Sequence, residues 1–366
     1  MMAGDMDDPK VWFGTAGSSH TRLSDQSDLS EIAQHWVRGG KVNWQVQKQA
    51  FDPFAQRLHL SPTIFANETY RKPIQENSAQ NGLLGRMLPS LDGQHFISQI
   101  SQTHPIIAQH KVGGAVVLPA ATGLEMAITA VLLTSTAELQ NVVLHHVSFA
   151  SFVTLGAEPV SLRTELERGA GGQPGSDMTL RISSDQDWLF AEVSTDAAPL
   201  AIEWPDESRY APEISKEEFY SKVAQSGVNL GVAFQNVSKV HHSISSDAHG
   251  KIVHLEIAPN LLEDQDAHPP HTCMLDAVLQ TVMALDGDAQ TPQYPFSIEA
   301  LTFWRRSKQR SASNEMKVWI KPDKTAQNGF EALLVNAQNL PLLHIRGLVM
   351  RTAQSTGPTL SHALLR

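Results

Sequence analysis

Two almost wholly apolar runs of helix length, Pro119–Ser135 and Met274–Leu285, restrict the fold more than any other feature of this chain. A helix without a polar stripe has no face to turn to water, so each run must be buried on all sides. Each is followed by segments that read as strands. After the first come 141–149, 152–166, 177–183 and 187–194; after the second come 294–306, 315–321, 329–336 and 341–352. Phe96–Ile100, ahead of the first run, alternates apolar and polar residues as a half-buried strand does. Gly169–Gly175 and Ser184–Asp187 carry turn chemistry between strands. No close sequence repeat is present, yet the order of elements recurs. The expected fold class is α+β: two copies of one unit, each an antiparallel sheet around a buried helix.

The 366 residues suffice for two cores or one large composite core. A hydrophobic fraction of 41% and a charged fraction of 18% are those of a globular chain. The net charge of -10 argues against a nucleic-acid binder and disfavours an anionic membrane surface. One cysteine, Cys273, excludes an intrachain disulfide and points to a reducing, cytoplasmic compartment. Its apolar neighbours mark it as a buried structural residue. No run is long enough to span a membrane, and Asp5, Asp7 and Asp8 stand where a signal peptide would be basic. A soluble cytoplasmic protein is expected.

Residues 1–82 are polar and read as a linker-like extension with one helical piece near Leu29–Val37. The first unit is placed at 83–200, and a linker carrying Pro205 and Pro212 at 201–214. The second unit follows at 215–355, with 217–260 read as strands and loops, and a frayed tail at 356–366.

The segment from His110 to Pro119 combines three devices. His110 can take and give protons near neutral pH. Gly114 lets a ligand approach the main chain, and Pro119 suits the first turn of a helix. Together they describe a carbonyl held at a helix N-terminus beside a base. In the second run Asp276 and Gln280 are four apart and share a helix face. Alone, Asp276 reads first as a helix cap or dipole partner, and a lone histidine first as a structural one. Their equivalent places in two similar units point instead to an acid–base pair. A carboxyl buried in an apolar helix keeps its proton, and a neutral histidine facing it accepts one.

Other clusters carry less. His145-His146 and His241-His242 lack a cysteine or carboxylate at metal-ligand spacing, so no metal is expected. His268 and His271, just ahead of Asp276, read as a solvated loop. Gly169–Gly175 reads as a hairpin loop and not a nucleotide loop, and Gly17–His20 lacks the setting of a nucleophile elbow.

His110-xxx-Gly114-xxxx-Pro119 resembles the signature of the dehydratase domains of modular polyketide synthases and animal-type fatty acid synthases. Asp276-xxx-Gln280 is similar to their second signature, Asp-xxx-Gln or Asp-xxx-His. Gly227–Gln235 resembles the Tyr-Gly-Pro-x-Phe element, and Tyr294-Pro295-Phe296 the Leu-Pro-Phe strand. Trp44 and Pro62–Phe65 are similar to the preceding linker. The resemblance covers roughly residues 83–355, and four motifs in order make it specific.

It implies a double hotdog fold, two strand-wrapped helices side by side, that removes water from a 3-hydroxyacyl thioester. The acyl group would arrive on the phosphopantetheine arm of an acyl carrier protein, with no further cofactor. Neighbouring synthase domains and a second copy of the chain are the other partners implied. By motif position His110 would take the C2 proton, Asp276 would protonate the departing hydroxyl and Gln280 would orient Asp276. The Gly114 N–H, at a helix start, would polarise the carbonyl. Trp304-Arg305-Arg306 reads as a strand end with snorkelling arginines or as a patch for the acidic carrier.

Two positions depart from the pattern. Leu230 stands in place of the tyrosine, so a phenol near the acid is expected to be missing, and Val232 stands in place of the proline. With Gly231 and Phe234 they are expected to shape the pocket. Such changes keep a second activity open: dehydration followed by closure of an oxygen heterocycle through conjugate addition. A non-catalytic acyl-binding scaffold and a hotdog thioesterase are further alternatives. The His110/Asp276 pair argues against the first and the Pro119 motif against the second.

Overall fold

The computed structural model describes residues 28–42, 82–89, 93–135, 139, 141–168, 178–195, 203–246, 249–258, 271–285, 291–305, 315–324 and 329–352. Trp44, Pro62–Phe65, Gly17–His20, the Gly169–Gly175 loop, His268, Arg306 and the tail at 356–366 lie outside the described residues. The chain divides into two compact units, residues 1–72 and 73–366. In the first, α1 (Leu29–Val37) is capped by the Asp28 side chain, which accepts from the Glu31 N–H at 2.8 Å.

The second unit contains the site. Its first half comprises β1 (Arg86–Leu88), β2 (Gln94–Ile100), β3 (His110–Val112), β4 (Ala115–Val116), α2 (Ala120–Thr134), β5 (Asn141–Phe149), β6 (Val160–Arg168), β7 (Met178–Ser183) and β8 (Asp187–Thr195). The second half comprises β9 (Tyr210–Ser215), α3 (Lys216–Gln225), β10 (Val228–Leu230), β11 (Val237–Ser243), β12 (Lys251–Glu256), α4 (Thr272–Gln280), α5 (Val282–Leu285), β13 (Gln293–Trp304), β14 (Glu315–Pro322), β15 (Gly329–Asn336) and β16 (Pro341–Thr352).

Among the described residues thirteen strands form one sheet in the order β1-β2-β6-β7-β8-β5-β13-β16-β15-β14-β12-β11-β9. All its pairings are antiparallel, and β5 against β13 joins the halves. Alternation sets which face is buried: on β14 Met316, Val318 and Ile320 point into the core, while the residues between them do not. Each half wraps an apolar helix, α2 in the first and α4 in the second, as the two apolar runs require. The helices meet where the Thr122 and Thr272 hydroxyls lie 2.9 Å apart. Glu125 of α2 also accepts from the Thr272 N–H at 2.6 Å, which caps α4 from the neighbouring helix. No helix among the described residues is long and apolar enough to cross a membrane.

Three sequence expectations change. The segment read as a linker at 201–214 ends in β9, an edge strand paired with β11, where Pro212 is tolerated because the edge needs no N–H. The 217–260 segment contains a helix, α3, with Phe219 and Val223 buried. The strand expected at 152–166 begins only at Val160, after Gly156 and Pro159 have broken the run.

Candidate active site

A second, three-stranded sheet, β10-β3-β4, stitches the two halves together and places His110. β3 comes from the first half and β10 from the second; Leu230 lies directly opposite His110 in the register. The His110 ring is held by the Val117 carbonyl at 2.8 Å from Nδ1. A carbonyl only accepts, so Nδ1 carries a proton, and in the neutral ring it is Nε2 that keeps its lone pair. Phe234 is fully buried, with its ring centroid 5.4 Å from that of His110.

Asp276 sits on the second turn of α4 and is 7% exposed. It is not the helix cap. Glu125 caps the Thr272 N–H, and His271 Nδ1 accepts from the Cys273 N–H at 3.1 Å. The Asp276 partner is Gln280, one turn on and 8% exposed, whose Nε2 donates to Oδ2 at 2.6 Å. Burial pushes the Asp276 carboxyl well above the usual range, opposed by the nearby His110 ring and by the Gln280 hydrogen bond. The net shift is upward, in the direction that favours the protonated form.

His110, Asp276 and Gln280 line one cleft. Leu118, Pro119 and Ala120 form its wall at the start of α2, and Leu230, Leu279, Met283, Phe149, Phe152 and Trp188 make it mostly apolar. Tyr294, Pro295 and Phe296, the strand singled out in the sequence, close another side. Tyr294 makes an edge contact with Phe152 at 4.5 Å, and the Arg351 guanidinium lies 3.2 Å from the Phe296 ring centroid.

The other expected residues are placed differently. Gly114 is not at a helix start: it sits in the turn between β3 and β4 with φ +85, exposed, and outside the cleft lining. The turn needs two left-handed residues, which Gly113 and Gly114 supply. Pro119 is the N-cap of α2 and buried, one residue before the first turn. Val232 does not shape the pocket, because in its short 3-10 turn it is 81% exposed. Gly231 serves the loop instead. A Cβ there would lie 2.5 Å from Gln109 Oε1, the atom that accepts from the Ala233 N–H. His271 is no solvated loop residue: burial, with His104 beside it, lowers its pKa to about 4.

The missing phenol is present after all. Tyr220, on α3, donates to Gln280 Oε1 at 3.0 Å and accepts from the Val237 N–H at 2.9 Å. The sequence carried a signal for its helix: Ser215 caps it by accepting from the Glu218 N–H, a capping-box pattern ahead of Phe219 and Val223. Among the remaining histidines, His145 bonds Ser194, His146 meets Glu192, and the His241 ring lies tilted against His254.

Models of the polyketide synthase dehydratase domain and of the polyketide synthase dehydratase N-terminal domain match residues 82–185 and 203–359, which together span most of the chain. This chain belongs to the polyketide synthase dehydratase family. A phenolphthiocerol/phthiocerol polyketide synthase of Mycobacterium tuberculosis is 25% identical over 272 residues, 68% of this chain and 14% of that synthase. The chain thus spans about a seventh of that relative. The dehydratase domain from the CurF module of the curacin polyketide synthase superposes with a TM-score of 0.64 at 18% identity, covering 74% of this chain and 98% of that one. An inactive aspartate-to-asparagine mutant of the CurK dehydratase gives 0.63 at 17% identity, with 75% and 99% covered. These dehydratases share the double hotdog fold. The polyketide synthase dehydratases are hydro-lyases, and the cleft brings an imidazole and a buried carboxyl together.

Proposed function

We propose that this chain removes water from a 3-hydroxyacyl thioester carried on the phosphopantetheine arm of an acyl carrier protein, within a polyketide synthase. One observation carries this: a histidine whose Nδ1 is held by a backbone carbonyl and a buried carboxyl, supplied by different halves of the fold, open onto one apolar cleft. The apolar lining takes the acyl chain, and the thioester carbonyl rests against the wall from Val117 to Ala120, where the positive end of α2 opposes developing negative charge. That position takes over the role expected of Gly114.

His110 Nε2 takes the C2 proton, and the C2–H electrons form the C2=C3 bond as the C3–O bond breaks. Asp276 gives its proton to the departing hydroxyl, which leaves as water. Proton exchange with solvent returns the pair to its starting state. The chemistry uses proton transfers alone and calls for no cofactor. An inactive CurK dehydratase with one aspartate replaced by asparagine supports a carboxyl's being needed for this chemistry.

The test is incubation with a 3-hydroxyacyl thioester bearing a distal hydroxyl, with products read by mass spectrometry and NMR. Loss of one water with a C2=C3 alkene is expected. A ring with the starting mass would show the dehydrating cyclase, a free acid a hydrolase, and no turnover an acyl-binding scaffold.

A further inference from the structure

We propose that Tyr220 is a positioning residue of the elimination site: its phenol locks the Gln280 amide and thereby fixes which oxygen of Asp276 carries the proton. This rests on the assignment of Asp276 as the acid. Tyr220 is absent from the cleft lining, so it acts through Gln280 and not on substrate.

The hydrogen-bond partners around Gln280 favour one arrangement. Gln280 Nε2 has two hydrogens and two acceptors in reach, Asp276 Oδ2 at 2.6 Å and the Phe234 carbonyl at 3.0 Å. Its Oε1 meets the Tyr220 hydroxyl at 3.0 Å. That hydroxyl already accepts from the Val237 N–H, so its single proton is free to point at Oε1, with the Phe234 carbonyl farther away at 3.2 Å. Turning the amide over would set its oxygen against the Phe234 carbonyl, which can only accept. Tyr220 is itself held: Phe219 packs edge-on at 5.2 Å, and α3 begins at a capped N-terminus.

The consequence falls on Asp276. With Oδ2 fixed as an acceptor, the neutral carboxyl carries its proton on Oδ1. The phenol that family members place on the Tyr-Gly-Pro element is Leu230 here, so α3 supplies the only phenol bonded to Gln280 among the described residues. The titratable groups that face Asp276 are His110 on β3, Tyr220 on α3 and Cys273 on α4. Burial pushes the Tyr220 and Cys273 pKa values upward, so both stay neutral and removing the phenol removes no charge.

The experiment compares wild type, Tyr220→Phe, Gln280→Ala and the double variant, using a 3-hydroxyacyl pantetheine thioester. Tyr220→Phe should lower kcat roughly 3- to 10-fold with KM little changed. The high-pH limb of the rate profile should move upward by up to about one pH unit, because Asp276 loses a fixed donor. In the Gln280→Ala background the same change should add nothing. Carbon-13 NMR of the Asp276 carboxyl should show the same upward shift without any turnover. Unshifted limb and carboxyl titration, or effects that add fully to Gln280→Ala, overturn the proposal. If no protein turns the thioester over, the dehydratase function fails, while the NMR titration still decides the role of Tyr220.

Discussion

At His110 and Asp276 one hydrogen bond each decides the proton inventory: the Val117 carbonyl leaves Nε2 free, and the Gln280 amide occupies Oδ2. The rate should fall as pH rises through the raised pKa of Asp276, since a general acid must be protonated, and the fall should begin above the ordinary carboxylate range. A kcat/KM profile measures it, and a fall already centred near pH 4 would contradict the burial argument. Gly231 offers a steric test. In Gly231→Ala the new Cβ would press on Gln109 Cβ at 2.8 Å as well as on its Oε1, so repacking should cost about 1–3 kcal/mol. Urea denaturation reads this, and an unchanged midpoint would contradict it. His110, Asp276, Gln280 and Phe234 were legible in the sequence because fixed spacings carry them. Tyr220 was not, because its partner is sixty residues away and only the fold brings the two together. Val232 misled because a change within a motif says nothing about which way the side chain points.

Among the elements, α4 depends on a cap from another helix. Glu125 accepts from Thr272, and burial raises its pKa to about 8. A carboxyl whose folded pKa exceeds its unfolded value near 4.5 favours the folded state below that value and loses this contribution as pH rises toward 8. The wild-type Tm should therefore fall between pH 5 and pH 8, and Glu125→Gln should flatten the slope. Equal slopes in both proteins would contradict this. The two buried helices and most of their following strands were legible because apolar runs and alternation are local signals. β9 and α3 were not: Pro212 looks like a strand breaker until the strand is known to lie at a sheet edge, and α3 is only weakly apolar.

For the whole second unit, the pairing of β5 with β13 makes the two halves one sheet, and β3 with β10 ties them again at the site. The halves should unfold in a single transition. Leu301, fully buried on β13 opposite Leu144, tests it: Leu301→Ala should cost about 2–5 kcal/mol and lower that one transition. Calorimetry resolving separate transitions for the halves would contradict it. The duplicated architecture was readable from the recurring order of elements, whereas the continuity of the sheet was not, since strand pairing across halves leaves no spacing in the chain. That continuity is what lets residues from two halves share one cleft. The most direct measurement of the central claim is turnover of a 3-hydroxyacyl thioester by folded His110→Ala and Asp276→Asn. Each variant should lose at least ~10²-fold in kcat; near-wild-type turnover by either would contradict the assignment of base and acid.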